Sequence, residues 1–222
     1  MREPSCESFP ITNPTSASMS SRSEGPKTGR PSIRRSPEGR PTGVSLTATV
    51  ERSSRLLVNT GEGKGKSSAA FGVMSRGWAR GWRVVVIQFV KGGKWKTGER
   101  KLADQLGIEF YTLGDGFTWE SDDLATTEHL GQEAWALARS KIDSGDYDLV
   151  ILDELTYTIT YGWINETEVL DALRDRPGRT NIVVTGRGAT EGLIAIADTV
   201  TEMRKVKHAY DQGIKAKKGI EY

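Results

Sequence analysis

The chain has 222 residues, enough for one substantial domain, and its 36% hydrophobic and 27% charged content is that of an ordinary globular protein. Its longest apolar runs, such as Val84-Val85-Val86-Ile87, are strand-sized and fall far below the roughly 18 residues that span a bilayer, so no membrane partner is expected. The formal net charge of +2 is unevenly divided: residues 1–50 hold seven Lys/Arg against four Glu, while the remainder carries 24 basic and 25 acidic residues. A nearly neutral folded part gives no electrostatic case for nucleic acid as substrate.

Residues 1–50 contain seven of the eight prolines and ten serines. With so little apolar surface to offset ordering entropy, they are expected to form a disordered Pro/Ser/Arg-rich tail. A basic arm for a partner or nucleic acid is the functional alternative. Residues 1–14 have no apolar core after a basic start, so no secretory signal is expected, and Glu3, Glu7, Glu24 and Glu38 argue against an acid-poor transit peptide. The single cysteine, Cys6, lies in this tail. One thiol forms neither an intrachain disulfide nor a thiolate cluster, which suits a reducing, cytoplasmic location.

Residues 51–222 read as the folded domain. Short apolar runs alternate there with helical patterns, the mark of βαβ units and a mostly parallel sheet. Strands are predicted at 55–59, 84–89, 108–112, 148–153, 181–185 and 199–203. After the first strand, Ala70, Val73, Met74 and Gly77 line one helical face. Leu130, Ala134, Leu137, Ala138 and Ile142 form a second stripe at three-to-four spacing. A third helix is predicted to start from an Asn165 cap, with Glu168 as its capping-box partner. Right-handed crossovers turn this order into a three-layer α/β sandwich, in which ligands bind beyond the carboxyl ends of the strands.

Leu56-Leu57-Val58-Asn59 runs into Thr60-Gly61-Glu62-Gly63-Lys64-Gly65-Lys66-Ser67-Ser68, and a helix follows. Glycines let backbone N–H groups turn inward around phosphate oxygens, and the helix N-terminus adds its partial positive charge. This is the P-loop pattern G-x-x-x-x-G-K-[ST], with Thr60 at the first glycine position. Residues Thr60 to Ser68 are therefore the expected nucleotide-binding segment, with Lys66 reaching the β- and γ-phosphates and the Ser67 hydroxyl holding Mg²⁺. The strand at 148–153 ends in Asp153 and Glu154. In P-loop proteins such carboxylates hold Mg²⁺ directly or through water. These two motifs also fit an ATPase or kinase that cleaves the γ-phosphate, and a nucleic-acid-binding module that uses the basic tail is a second alternative.

Four further motifs follow in order: Gln88-Phe89-Val90-Lys91-Gly92, Gly116-Phe117-Thr118-Trp119-Glu120, Leu152-Asp153-Glu154-Leu155-Thr156-Tyr157 and Thr185-Gly186-Arg187-Gly188. The chain closes with Val206-Lys207-His208-Ala209-Tyr210 and Gly219-Ile220-Glu221-Tyr222. With the 60–68 loop, they resemble the P-loop type of ATP:corrinoid adenosyltransferase, also called cob(I)alamin adenosyltransferase, from about residue 56 onward. The resemblance implies a RecA-like P-loop fold and a reaction unlike phosphoryl transfer. The cobalt of a Co(I) corrinoid, such as cob(I)yrinic acid a,c-diamide, attacks the 5′ carbon of ATP, and the whole triphosphate leaves.

The resemblance implies Lys66 and Glu154 as catalytic residues, with Ser67, Glu154 and Asp153 around Mg²⁺ or Mn²⁺. It also implies Phe117 and Trp119 against the lower face of the corrinoid, where an apolar wall keeps water and the lower axial base from cobalt. A reduced flavoprotein as electron donor and a homodimer belong to the same expectation. The metal itself is the nucleophile, so the reaction needs no general base; His129 reads as a surface or packing residue, and His208, within the family-like 206–210 run, is assigned no role. The family loop usually reads Thr-Gly-Asn-Gly-Lys-Gly-Lys-Thr-Thr, and Glu62 here replaces the Asn. A carboxylate facing phosphates would repel them by about 1 kcal/mol or more; turned outward it would matter little. Family members also tend to carry a helix ahead of the first strand, for which residues 46–55 are the only remnant.

Overall fold

The computed structural model describes residues 54–90, 97–114 and 124–221. In chain order it contains β1 (Leu56–Thr60), α1 (Lys66–Ala79), β2 (Val84–Gln88), α2 (Gly98–Leu106), β3 (Glu109–Thr112) and α3 (Leu124–Asp143). There follow β4 (Leu149–Asp153), α4 (Leu155–Thr160), α5 (Glu166–Arg174), β5 (Asn181–Thr185), α6 (Glu191–Ile196) and β6 (Thr199–Glu202). The six strands form one sheet in the order β3-β2-β4-β5-β1-β6, every pair parallel. Each expected strand is present, with ends displaced by at most one residue.

Successive strand side chains point to opposite faces, and both faces here are apolar because helices cover both. Leu56, Val58, Val85, Ile87, Val150, Leu152, Ile182 and Val184 pack on one side against α3, α4, α5 and α6. Val84, Val86, Leu149, Ile151 and Val183 pack on the other against Ala70, Phe71 and Met74 of α1 and Ala103 of α2. The result is the expected three-layer sandwich.

In α1, Ala70, Met74 and Gly77 are buried as predicted and Phe71 joins them. In α3 the buried stripe is Ala134, Ala138 and Ile142, with Trp135 added. Asn165 caps α5, accepting from the N–H groups of Thr167 (2.8 Å) and Glu168 (3.4 Å). The Glu168 carboxylate accepts from the Trp135 indole at 3.0 Å and so ties α5 to α3.

Three helices were not legible beforehand. In α2 the only buried residue is Ala103; the helix is fixed by Thr97, which accepts from Arg100 N–H, and by left-handed Gly107 at its end. The Thr/Tyr/Ile-rich α4 has strand-like composition. Its Thr158 and Thr160 hydroxyls donate back to the carbonyls of Leu155 and Thr156 at 2.7 and 2.9 Å, the local bonding that lets such residues sit in a helix. The six-residue α6 starts at Thr190, which accepts from Leu193 N–H.

The amino-terminal edge of the sheet is held by a charged cluster. Glu109 of β3 accepts from Lys141 Nζ (2.7 Å), the Tyr147 hydroxyl (2.8 Å), the Tyr111 hydroxyl (3.0 Å) and Arg83 (3.3 Å). Burial pushes its carboxyl up, but these four donors outweigh that and hold it at about 2. A depressed carboxyl pKa contributes stability that is present above the unfolded value and is lost as pH falls toward the folded one. The relevant window therefore runs from about 4.5 down to about 2. Glu109→Gln should melt below wild type at neutral pH, and the gap should narrow as pH falls through that window. A gap that stays constant with pH in thermal melts would show that the carboxylate's charge is not what holds the cluster.

Candidate active site

At the opposite, carboxyl edge, residues 61–65 turn out of β1 and lead into α1. Gly61 and Gly65 have positive φ, 94° and 112°. Close approach is a second requirement: a Cβ on Gly61 would lie 2.6 Å, and one on Gly63 2.7 Å, from the Met203 carbonyl oxygen. That carbonyl, just beyond β6, accepts from Gly63 N–H at 2.6 Å. Lys66 folds back over the loop and donates from Nζ to the Gly61 and Gly63 carbonyls, both at 2.7 Å. Geometry leaves the first amides of a helix without an intrahelical acceptor, so an ammonium and the α1 N-terminus face the same turn. Burial lowers the Lys66 pKa and the nearby Arg187 charge lowers it further, against the opposing charges of Glu62, Glu154 and Asp153.

A row of hydrogen bonds crosses the strand ends. The Asp153 carboxylate, fully buried, accepts from Gln88 Nε2 at 2.8 Å and from the Thr185 hydroxyl at 2.6 Å. The Thr112 hydroxyl donates to the other end of Gln88, at 3.4 Å. The same Thr185 oxygen accepts from Glu154 N–H at 3.0 Å. Glu154 has φ 66° and is the only non-glycine residue in the left-handed region among the described residues. That conformation costs about 1–2 kcal/mol for an L-residue, and strain of this sort concentrates where function over-determines the backbone. The two carboxylates thus diverge: Asp153 is locked inside the sheet edge, and Glu154 is half-buried, within electrostatic range of Lys66.

A second loop, after β5, closes on the first. The Thr156 hydroxyl donates to the Arg187 carbonyl at 2.6 Å, and Ala189 N–H donates to the Thr60 hydroxyl at 3.1 Å. Gly186 has φ 141°, and a Cβ there would collide with the Thr156 hydroxyl. Arg187 Nη1 lies 3.4 Å from Glu62 Oε2. The Glu62 side chain is 68% exposed and so is turned out of the loop, but there it engages Arg187 and still acts on Lys66, which the loop sequence alone did not suggest. Residues 185–188 stood out in the sequence, but nothing there assigned Arg187, Thr156 or Met203 to the site.

Of the predicted site residues, Thr60 to Ser68, Asp153 and Glu154 are gathered at this edge. Lys64 and Ser68 are exposed and Ser67 is half-buried. Phe117 and Trp119 lie outside the described residues. His129 is an exposed helix residue, 3.4 Å from Glu133. Among the described residues no group of three or more His, Cys, Asp or Glu is placed to hold a metal ion by itself, and no helix is long and apolar enough to cross a membrane.

A glycine-rich turn between a buried parallel strand and a helix, with a lysine folded over it and a buried aspartate two strands away, defines a P-loop α/β protein. Similarity to known proteins narrows the class. Residues 52–222 match the family described as ATP:corrinoid adenosyltransferase BtuR/CobO/CobP. The chain is 42% identical over 167 residues to a corrinoid adenosyltransferase of Escherichia coli, covering 75% of this chain and 85% of that protein. It is 42% identical, over the same length and shares, to the corrinoid adenosyltransferase CobA of Salmonella typhimurium. A corrinoid adenosyltransferase of a Sinorhizobium species is 43% identical over 183 residues, 81% of this chain and 85% of that one. The chain belongs to the ATP:corrinoid adenosyltransferase family and is an enzyme of the transferase class.

Thr185→Val keeps the shape of the side chain but removes the hydroxyl that serves both Asp153 and Glu154. It should cost about 2–4 kcal/mol, because a buried carboxylate and an amide each lose a partner. Thr185→Ser should stay within about 1 kcal/mol of wild type. Denaturant unfolding measures both. A Val variant as stable as the Ser variant would contradict this account of the sheet edge.

Proposed function

We propose that the 60–68 loop binds the triphosphate of ATP, and that the protein transfers the 5′-deoxyadenosyl group to the cobalt of a Co(I) corrinoid. The observation that carries this reading is Lys66 folded over a glycine loop at the carboxyl edge of the sheet, in a chain that matches the family over residues 52–222. In the reaction the cobalt electron pair forms the Co–C5′ bond. The C5′–O bond breaks, and its electrons leave with the triphosphate. Charge collecting on that leaving group is what the protein must stabilise. Lys66 exchanges the carbonyls of Gly61 and Gly63 for the β- and γ-phosphates, and the amides at the start of α1 take the remaining oxygens.

Mg²⁺ or Mn²⁺ fits the residues present. The Ser67 hydroxyl and the Glu154 carboxylate are hard oxygen donors, and two protein ligands leave room for phosphate oxygens and water, the set Mg²⁺ takes. Asp153 already accepts hydrogen bonds on both oxygens, which suits a place behind a metal-bound water. When bound, the metal would neutralise triphosphate charge. Lys66 and Glu154 are the catalytic pair in this scheme, with Glu154 held in its left-handed turn to aim the carboxylate.

The corrinoid would rest with its lower face on Phe117 and Trp119, which exclude water and the lower axial base. Four-coordinate Co(II) then lacks an axial donor, its accepting orbital falls in energy, and a mild donor such as a reduced flavoprotein can supply the electron. Residues 1–50 take no part in this scheme, and a homodimer is the proposed assembly.

Turnover with ATP, Mg²⁺ and chemically reduced cobalamin, followed by the corrinoid spectrum, tests the reading. Lys66→Ala should lose 10²-fold or more, the scale for removing one preorganised electrostatic group. Activity within threefold of wild type would place the phosphates elsewhere. Phe117→Ala and Trp119→Ala should damage turnover that starts from Co(II) far more than turnover supplied with Co(I), and should leave ATP binding intact. Equal losses in both assays, with a lowered melting temperature, would make these aromatics ordinary packing residues.

A further inference from the structure

Two charged side chains beside the loop have no part in the scheme above. Glu62 stands inside the loop sequence itself, and Arg187 reaches it from the loop after β5. The Arg187 backbone is clamped, by the Thr156 hydroxyl at 2.6 Å on its carbonyl and by the bond from Ala189 N–H to Thr60 at 3.1 Å. Thr60 is the residue at which β1 ends and the phosphate loop starts. Gly186 leaves no room for a side chain that could loosen this contact. The guanidinium is therefore delivered from a fixed base, and it ends 3.4 Å from the Glu62 carboxylate, with both side chains more than half exposed. Lys66 feels both charges, which places all three in one electrostatic neighbourhood.

An exposed ion pair of this kind is weak and exchanges readily. A triphosphate carries more negative charge than one carboxylate, and its oxygens suit the two-pronged donor geometry of a guanidinium. We infer that Arg187 contacts the triphosphate of bound ATP, and that Glu62 holds Arg187 over the loop in the nucleotide-free protein and is displaced when ATP enters. The inference rests on the reading that the triphosphate occupies the 60–68 loop. Glu62 is then a built-in competitor that sets nucleotide affinity through its partner. The same exchange run backwards returns Arg187 to Glu62 as triphosphate departs.

Calorimetric titration of ATP, inorganic triphosphate and adenosine into the full chain with Mg²⁺ tests this. Arg187→Ala should weaken ATP and triphosphate at least tenfold, the scale of a lost charge-assisted hydrogen bond, and leave adenosine unchanged. Arg187→Lys should lie between, since it keeps the charge without the fork. Glu62→Gln should tighten ATP and triphosphate about two- to fivefold, the range spanned by exposed ion pairs. In the Arg187→Ala background that gain should shrink to within about 1.5-fold, because an exposed, partnerless carboxylate turns to solvent and is screened. An equal gain in both backgrounds would mean that Glu62 acts by simple repulsion, and the exchange would be overturned. Weaker binding in Glu62→Gln, or no loss in Arg187→Ala, would overturn it as well. Lys66→Ala separates the inference from the reading beneath it. If Lys66→Ala loses ATP while the Glu62 and Arg187 variants do not respond, only the exchange fails. If Lys66→Ala binds ATP like wild type, the loop reading itself fails.

Discussion

A carboxylate buried in a protein has to be satisfied where it stands, since the cost of leaving it unpaired is several kcal/mol. Asp153, at the end of the central strand β4, meets that demand with Gln88 of β2 on one side and Thr185 of β5 on the other. These bonds pin three neighbouring strand ends in one plane. The Thr185 oxygen also accepts the N–H of Glu154, and that bond supports the left-handed residue at which the chain turns from β4 into α4. Because α4 leaves the sheet at that turn, Thr156 comes to lie against Gly186 and Arg187. The Arg187 loop in turn is tied to Thr60 at the end of β1. The site is thus built inward from one paired charge.

The chemistry proposed for this edge is electrostatic throughout. The corrinoid brings its own nucleophile, so what the protein must add is a place where a highly charged leaving group is welcome. The dipole at the start of α1, Lys66 on its first turn, and Arg187 from the loop after β5 supply positive charge from two parts of the fold, and each is delivered from a fixed base. Lys66 is held by the loop's own carbonyls, and the Arg187 backbone is clamped. Preorganisation of this kind is worth more than the same charges on mobile chains, because no reorganisation is needed as the bond breaks. The carboxyl of Glu109, held low by its four donors, belongs to the far edge of the sheet and to the fold.

Much of this was legible in the sequence, for identifiable reasons. Strands buried on both faces are continuous apolar runs, and Val84 to Gln88 or Leu149 to Asp153 can be little else. The phosphate loop is legible because its glycines answer two demands at once, turn geometry and the approach of Met203. The helices α2 and α6 bury one residue each, so periodicity carries no signal for them. In α4 the residues favour a strand, and tertiary context overrides them. The partnership of Glu62 with Arg187 joins positions 125 residues apart in sequence and depends on β5 lying beside β1; no local pattern encodes that. Glu62 could be recognised as an oddity in the loop, but not as half of a pair.

The central claim is that this edge stabilises an intact triphosphate as a leaving group, and the identity of the phosphate product tests it most directly. With ATP, Mg²⁺ and Co(I) cobalamin, chromatography of the quenched reaction should show inorganic triphosphate in one-to-one ratio with adenosylated corrinoid. ADP and phosphate accumulating in its place, with the corrinoid spectrum unchanged, would contradict the account.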